Sequence, residues 1–259
     1  MILLEAKKLT RTYGGVIAIS NVDFHVQKGL ITGLIGPNGA GKTTLFNNMT
    51  GLDTATSGQV FFEGVDITGQ NAHNIARMGI GRTFQNIRLF KELSVIENVM
   101  IGLHFSTGKS PTTGRVKAAF HSLIHVKEEY NTLEAEAMKW LEFFKLEALR
   151  DELAKNLPYG HQRELEIARA MATNPKLLFL DEPAAGMNPF ETDALMNTIR
   201  RIRDIGITVV LIEHDMKLVM SICDTITVLN YGQHIAQGTP TEIRNNPKVI
   251  EAYLGKEES

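Results

Sequence analysis

The stretch Gly36-Pro37-Asn38-Gly39-Ala40-Gly41-Lys42-Thr43 lies between the apolar run Leu30–Ile35 and a helix-like segment, Thr44–Thr50. It has the form G-x-x-x-x-G-K-[ST], in the strand-before, helix-after context that gives this pattern its meaning. Gly36, Gly39 and Gly41 can take backbone angles closed to other residues, which lets main-chain N–H groups approach a ligand closely. The amides of the loop, from Gly36 through Asn38, Gly39, Ala40 and Gly41 to Thr44, form a nest for phosphate oxygens with the positive end of the following helix behind them. Lys42 then reaches the β- and γ-phosphates of a nucleoside triphosphate, and the Thr43 hydroxyl ligates Mg²⁺.

The rest of the chain has the bulk to support such a site. With 259 residues, 43% hydrophobic and 22% charged, it is long enough for a full α/β core with a smaller attached subdomain. A formal net charge of −2 argues against a broad electrostatic footprint for nucleic acid. The one cysteine, Cys223, excludes an internal disulfide framework and fits a reducing compartment. It stands in an apolar-patterned stretch and reads as a packed small hydrophobe. No window approaches the roughly 18 to 20 uncharged apolar residues of a membrane span, and the N-terminus lacks a signal pattern. The expectation is a protein that stays in the cytoplasm and reaches a membrane by docking on another protein.

Working outward from the loop, Leu3–Leu9 and Val16–Val26 read as strands joined by a turn, Tyr13-Gly14-Gly15, that presents an aromatic ring. Gly51 ends the helix after the loop, and a strand follows at Gln59–Glu63. This third of the chain is expected to form an antiparallel sheet layered on the nucleotide core. A short helix, Asn71–Met78, leads to a strand over Gly79–Gln85 that ends on a polar residue. Ser94 and Glu97 form a capping box that opens a helix. Residues 102–114 read as a loop, and 115–150 as helix with Leu133, Ala137, Trp140, Leu141 and Phe144 on one face. His104, His121 and His125 have no cysteine or carboxylate pattern beside them, so no metal site is expected there. Leu157–Glu164 precedes a helix that runs to about Thr173. Beyond it, the strand Lys176–Leu180 is finished by Asp181-Glu182-Pro183, and the helix Phe190–Asp204 is followed by the strand Ile207–Ile212 and Glu213-His214-Asp215. Alternating strand and helix imply a parallel sheet, whose ligands collect at the carboxyl ends of its strands. Two more strands, Asp224–Asn230 and Gln233–Gln237, and a capped helix after Thr239 complete the chain.

Five features in this order resemble the ATP-binding-cassette ATPases over essentially the whole chain. They are the phosphate loop Gly36–Thr43, Gln85 at a strand end, a signature-like Leu157–Gln162, the acidic pair Asp181-Glu182, and His214 after the next strand. Gly79–Gln85, the Tyr-Gly form of the signature, Ile212–Met216, Glu251–Gly255 and the long segment before the signature look most like the ATPase subunit of branched-chain amino-acid importers. The resemblance implies a P-loop NTPase core with an N-terminal antiparallel β layer and an inserted helical subdomain at about 95–165. It also implies ATP and Mg²⁺ as ligands. Tyr13 matches the aromatic that stacks on adenine. Asp181 would hold Mg²⁺ through water, Gln85 would complete the shell of the metal and the attacking water, Glu182 would accept that water's proton, and His214 would contact the γ-phosphate. Tyr159, Gly160 and His161 would cover the ATP held by a second ATPase subunit, identical or homologous, in a head-to-tail dimer. Transmembrane permease subunits would dock near Gln85, on Asn86–Leu93 and the helices that follow, at the cytoplasmic face of the membrane. An extracytoplasmic substrate-binding protein would take part indirectly.

Three positions depart from that pattern. Pro158 replaces the usual Ser and brings neither hydroxyl nor N–H. His161 stands in a usual Gln position, and Asn188 in place of Asp keeps an amide without the charge. Rival readings are an exporter of the lipopolysaccharide type, whose segment before the signature is shorter, a soluble cassette acting on DNA or ribosomes, and a non-catalytic nucleotide-binding regulator.

Overall fold

The computed structural model describes residues 1–106 and 122–254 and divides into two compact units, Met1–Gln85 with Lys176–Ser259, and Asn86–Pro175. The second unit begins before and ends after the 95–165 insertion expected from the sequence.

The first unit opens with β1 (Ile2–Tyr13) and β2 (Val16–Gln27), followed by β3 (Ile31–Ile35), α1 (Lys42–Met49), β4 (Ser57–Phe62), β5 (Val65–Asp66), α2 (Ala72–Arg77) and β6 (Ile80–Arg82). β1 is longer than Leu3–Leu9. It carries register shifts against β2 that let it run on through Tyr13, as bulges do when they bend a strand without ending it. β6 is shorter than expected: its ladder with β7 ends at Arg82, beyond which the Thr83 N–H donates to Phe179 O at 2.9 Å. Gln85 therefore lies three residues past the strand rather than on its last residue.

In the second unit, α3 spans Val95–Ser106, α4 Ser122–Phe144 and α5 Tyr159–Met171. The Ser94–Glu97 box is formed, with Ser94 N–H donating to Glu97 Oε2 at 2.7 Å and Glu97 N–H to Ser94 Oγ at 3.3 Å. Residues 102–106, expected in a loop, belong to α3. Gly102 allows this by close packing, since a Cβ there would sit 2.3 Å from Arg169 O. Residues 107–114 of that loop, residues 115–121 of the following helix and His121 lie outside the described residues. α4 ends at Phe144 rather than near 150, where Lys145 takes φ +59° and a short 3₁₀ turn, Glu147–Leu149, follows. Its buried face is Ala137, Leu141 and Phe144. α5 starts within the signature, at Tyr159, rather than after Glu164, with Pro158 at its N-cap.

The chain then returns to the first unit with β7 (Leu177–Asp181), α6 (Pro189–Asp204), β8 (Thr208–Ile212), α7 (Met216–Ile222), β9 (Thr225–Asn230), β10 (Gln233–Gly238), α8 (Pro240–Arg244) and α9 (Pro247–Leu254). One sheet has the order β2-β1-β4-β5 and is antiparallel, with alternating burial along β2. The other has the order β10-β9-β3-β8-β7-β6, parallel apart from β10. Every residue of β3, β7 and β8 is buried, the mark of strands covered on both faces. α1 and its apolar neighbours fill the space between the sheets, where Phe46 meets Phe179 edge to face at 4.7 Å. α7, unforeseen as a helix, packs against β3 because Gly33 leaves room. A Cβ there would approach Cys223 Sγ to 2.9 Å.

Candidate nucleotide site

β3 aims the chain at the sheet's carboxyl edge, and glycine lets it turn. Gly36 has φ +153° and Gly41 φ +96°. A Cβ on Gly36 would lie 2.2 Å from Leu229 O, and one on Gly41 2.7 Å from Ala18 O. The loop is thus wedged between the end of β9 and the start of β2. The β9–β10 turn closes the wedge, with Gly232 N–H donating to Ala40 O at 3.1 Å and Ser20 N–H to Gly232 O at 2.8 Å.

α1 starts at Lys42 with Gly41 as N-cap and no side-chain cap. The first N–H groups of a helix have no intrahelical acceptor. Here Lys42, Thr43 and Thr44 carry them into a cleft of about 460 Å³ lined by Asn38–Thr44, Val16, Ile17, Ala18, Glu182 and Tyr231. An uncapped helix start of this kind attracts anions. The Lys42 ammonium donates to Gly36 O at 2.7 Å and Pro37 O at 3.0 Å. Burial pulls its pKa below that of an ordinary lysine, and the charges of Glu182 and Asp181 oppose the shift.

The other strand ends bring their polar groups beside this loop. Asp181 closes β7, and Glu182 follows with φ +45°. Gln85 Nε2 donates to Glu182 Oε2 at 2.9 Å, and His214 Nδ1 stands 4.0 Å from the same oxygen. Asp181 is buried and accepts from Arg82 Nη2 at 3.3 Å through Oδ2. Arg82 also donates to Thr50 Oγ1 at 2.6 Å and lies 4.6 Å from the Phe46 ring. Thr43 hydroxyl, Gln85 amide and Asp181 carboxylate offer oxygen donors, the hard set that suits Mg²⁺. Among the described residues there is no group of three or more His, Cys, Asp or Glu arranged to hold a metal. His104 lies on α3, and His125 on α4.

Tyr13 ends β1 half exposed, its hydroxyl hydrogen-bonded to Asp53 and the Arg11 guanidinium 4.5 Å from its ring. Val16, Ile17 and Tyr231 line the cleft instead. Sequence reading passed over all three. Tyr231 alone left a signal, the Tyr-Gly pair of a tight hairpin turn between two strands. Arg82 left another, a charge within the strand-like stretch Gly79–Gln85.

In the second unit Tyr159, Gly160 and His161 form the first turn of α5. Tyr159 hydroxyl accepts from Arg163 Nη2 at 3.3 Å. Arg163 is fully buried and donates to buried Glu166 at 2.8 Å, and Glu166 accepts from Arg88 N–H at 3.0 Å. Arg169 Nη2 is hydrogen-bonded to Arg88 O. Both main-chain groups of Arg88 are thus held by α5. Asn98 of α3 adds Phe90, accepting its N–H at 3.0 Å and donating to its carbonyl at 3.1 Å. Asn188, back in the first unit, caps α6 with a capping box to Glu191, so its amide has work within its own chain.

An uncapped glycine loop on the central strand, an acidic pair on the next strand but one, and a histidine on the strand between them define a P-loop nucleotide-binding protein of the ATP-binding-cassette class. A sequence profile described as ABC transporter matches residues 19–185. A second, described as branched-chain amino acid ATP-binding cassette transporter, matches residues 233–259. The chain belongs to the ABC transporter family. It is 46% identical over 255 residues to the high-affinity branched-chain amino acid transport ATP-binding protein BraF of Pseudomonas aeruginosa, covering 98% of each chain. It is 44% identical over 259 residues to LivG of Escherichia coli, described in the same words, again covering 98% of each. The crystal structure of the ADP conformation of MJ1267, an ATP-binding cassette of an ABC transporter, superposes with TM-score 0.84 at 37% identity, over 99% of this chain and 100% of that one.

Proposed function

We propose that this chain is the ATP-hydrolysing subunit that powers import of branched-chain or related amino acids through a membrane permease. The observation that carries the catalytic part is the meeting of Gln85, Glu182 and His214 within 4.0 Å of one carboxylate oxygen, beyond the carboxyl ends of β6, β7 and β8 on one side of the phosphate-loop strand. A triphosphate settles on the N–H groups of Gly39 to Thr44, and Lys42 exchanges the carbonyls of Gly36 and Pro37 for phosphate oxygens. Glu182 takes the proton of the attacking water, Gln85 orients that water, and His214 contacts the γ-phosphate. Mg²⁺, held by Thr43, Gln85 and Asp181, would neutralise charge on the phosphates.

Tyr13 is assigned to the adenine ring. This requires its ring to share a face with the Arg11 guanidinium that now covers it, or to turn away from Asp53. The amino-acid class follows from the relatives of known role and the C-terminal match. Tyr159, Gly160 and His161 are assigned to the nucleotide of a second ATPase subunit in a head-to-tail dimer. Residues 86–93 are assigned to the permease, at the cytoplasmic face of the membrane, with a substrate-binding protein acting on the far side. No described helix is long and apolar enough to cross a membrane, so contact with the permease is through a surface.

The test is Glu182→Gln, which keeps the hydrogen-bonding shape and removes the base. It is expected to bind Mg-ATP, to lose hydrolysis by about 10²- to 10⁴-fold, and to collect as a dimer on size-exclusion chromatography with ATP. A variant that hydrolyses normally, or that stays monomeric with ATP bound, contradicts the proposal.

A further inference from the structure

Behind the catalytic cluster lies a second carboxylate to which the nucleotide motifs assign nothing. Glu213 follows β8 and is 1% exposed. Its Oε1 accepts from Ala184 N–H at 3.0 Å, and its Oε2 from His214 N–H at 3.3 Å. Oε2 also lies 3.8 Å from His214 Nδ1.

These bonds close a ring between two strand ends. Glu182 N–H donates to Ile212 O at 3.0 Å, Glu182 O accepts from Ala185 N–H at 3.2 Å, and Met187 N–H reaches Ala184 O at 3.1 Å. Ala184, which binds the Glu213 carboxylate, sits within that turn. The turn is under tension, because Glu182 has a left-handed backbone, costing on the order of 1–3 kcal/mol unless its surroundings hold it. A buried carboxylate is itself expensive, and burial pushes the Glu213 acid group above the ordinary range, the Ala184 and His214 N–H bonds resisting. An apolar residue would fill this position at lower cost to stability, yet it could not hold the backbone of both loops.

The geometry points to Glu213 as a positioning residue for hydrolysis, which fixes the Glu182 turn and the His214 backbone at one separation by bonding to both. This rests on the proposed roles of Glu182 and His214. It adds a residue that touches neither phosphate nor water. Triphosphate binding is built from the 36–44 loop, so loss of Glu213 should alter turnover and leave binding alone. A misplacement of about 1 Å in a catalytic group can cost on the order of 10²-fold.

The experiment measures steady-state hydrolysis and ATP affinity for the wild-type chain, Glu213→Leu, Glu213→Gln and, as reference, Glu182→Gln. Glu213→Leu is expected to lower kcat by about 10- to 100-fold, with KM and ATP affinity within about threefold of wild type. Glu213→Gln keeps an oxygen for Ala184 N–H and loses the acceptor facing His214. Its kcat should fall between the two, partly rescuing the leucine variant. Wild-type kcat in Glu213→Leu overturns the assignment. So does a loss of affinity in step with kcat, which would mark a purely structural residue, and so does a glutamine variant as slow as the leucine one, which would make charge the operative property. If Glu213→Leu does not fold, Glu213→Gln decides alone: reduced kcat at unchanged ATP affinity supports the assignment, and wild-type kcat overturns it. Should Glu182→Gln hydrolyse ATP like the wild type, the parent reading has failed instead, whatever Glu213 does.

Discussion

Two glycines of the phosphate loop are required for different reasons, and substitution separates them. Gly36 is hemmed in by backbone that cannot yield, with Leu229 O 2.2 Å from where a Cβ would be. Gly36→Ala should therefore destabilise the fold by about 3 kcal/mol or more, from overpacking and strain together, visible as a lower thermal midpoint. Gly39 has φ +77° and nothing within 4 Å of its Cβ position, on the wall of the cleft. Gly39→Ala should cost only about 1–2 kcal/mol of stability and be felt in ATP binding, where the new methyl stands among the phosphate-binding amides. Titration with a fluorescent ATP analogue checks this. Equal affinity would mean that phosphate does not lie over Gly39. Both glycines could be named from the motif. The difference between them could not, because Leu229 lies far along the chain and the contact exists only once β9 is beside β3.

Helix α5 shows how much a local element can conceal. A helix ending near 171–173 was legible, since helical period is a local property, although it starts at Tyr159 rather than after Glu164. The buried Arg163–Glu166 pair was not, since two charged residues three apart on a helix read as a solvated face. Their partners come in part from elsewhere in the chain, the Arg88 N–H donating to Glu166 Oε1 at 3.0 Å. Arg163→Met should destabilise the helical unit by about 3–5 kcal/mol by leaving Glu166 buried without its cation, and the double variant Arg163→Met with Glu166→Leu should recover much of that loss in urea unfolding. Little change in the single variant would show that water already reaches Glu166. At the start of the same helix, Pro158 supplies no side-chain cap. Pro158→Ser should add about 1 kcal/mol of stability as an N-cap and raise ATPase activity through the new hydroxyl. Equal or lower activity at saturating ATP counts against a nucleotide role for this position.

At the scale of the whole molecule, the order of motifs along the chain made the α/β class, the antiparallel N-terminal layer and the strand-end placement of Asp181, Glu182 and His214 readable before any coordinates. What escaped were features set by distant neighbours: the shortness of β6, the helical state of 102–106 permitted by the close packing at Gly102, the engagement of Tyr13 with Arg11 and Asp53, and the part played by Tyr231-Gly232. The sheet order is the extreme case. β3, which carries the phosphate loop, is paired with β8 on one side and β9 on the other, so both its neighbours come from the last quarter of the sequence. A growing polypeptide therefore emerges from the ribosome with its nucleotide strand unaccompanied, gains a first neighbour only once residue 212 has been made and a second only at residue 230. Nascent chains arrested near residue 205 should fail to bind immobilised ATP, whereas released full-length chains should be retained. The cell has to shelter an apolar strand for most of the time it takes to synthesise this subunit.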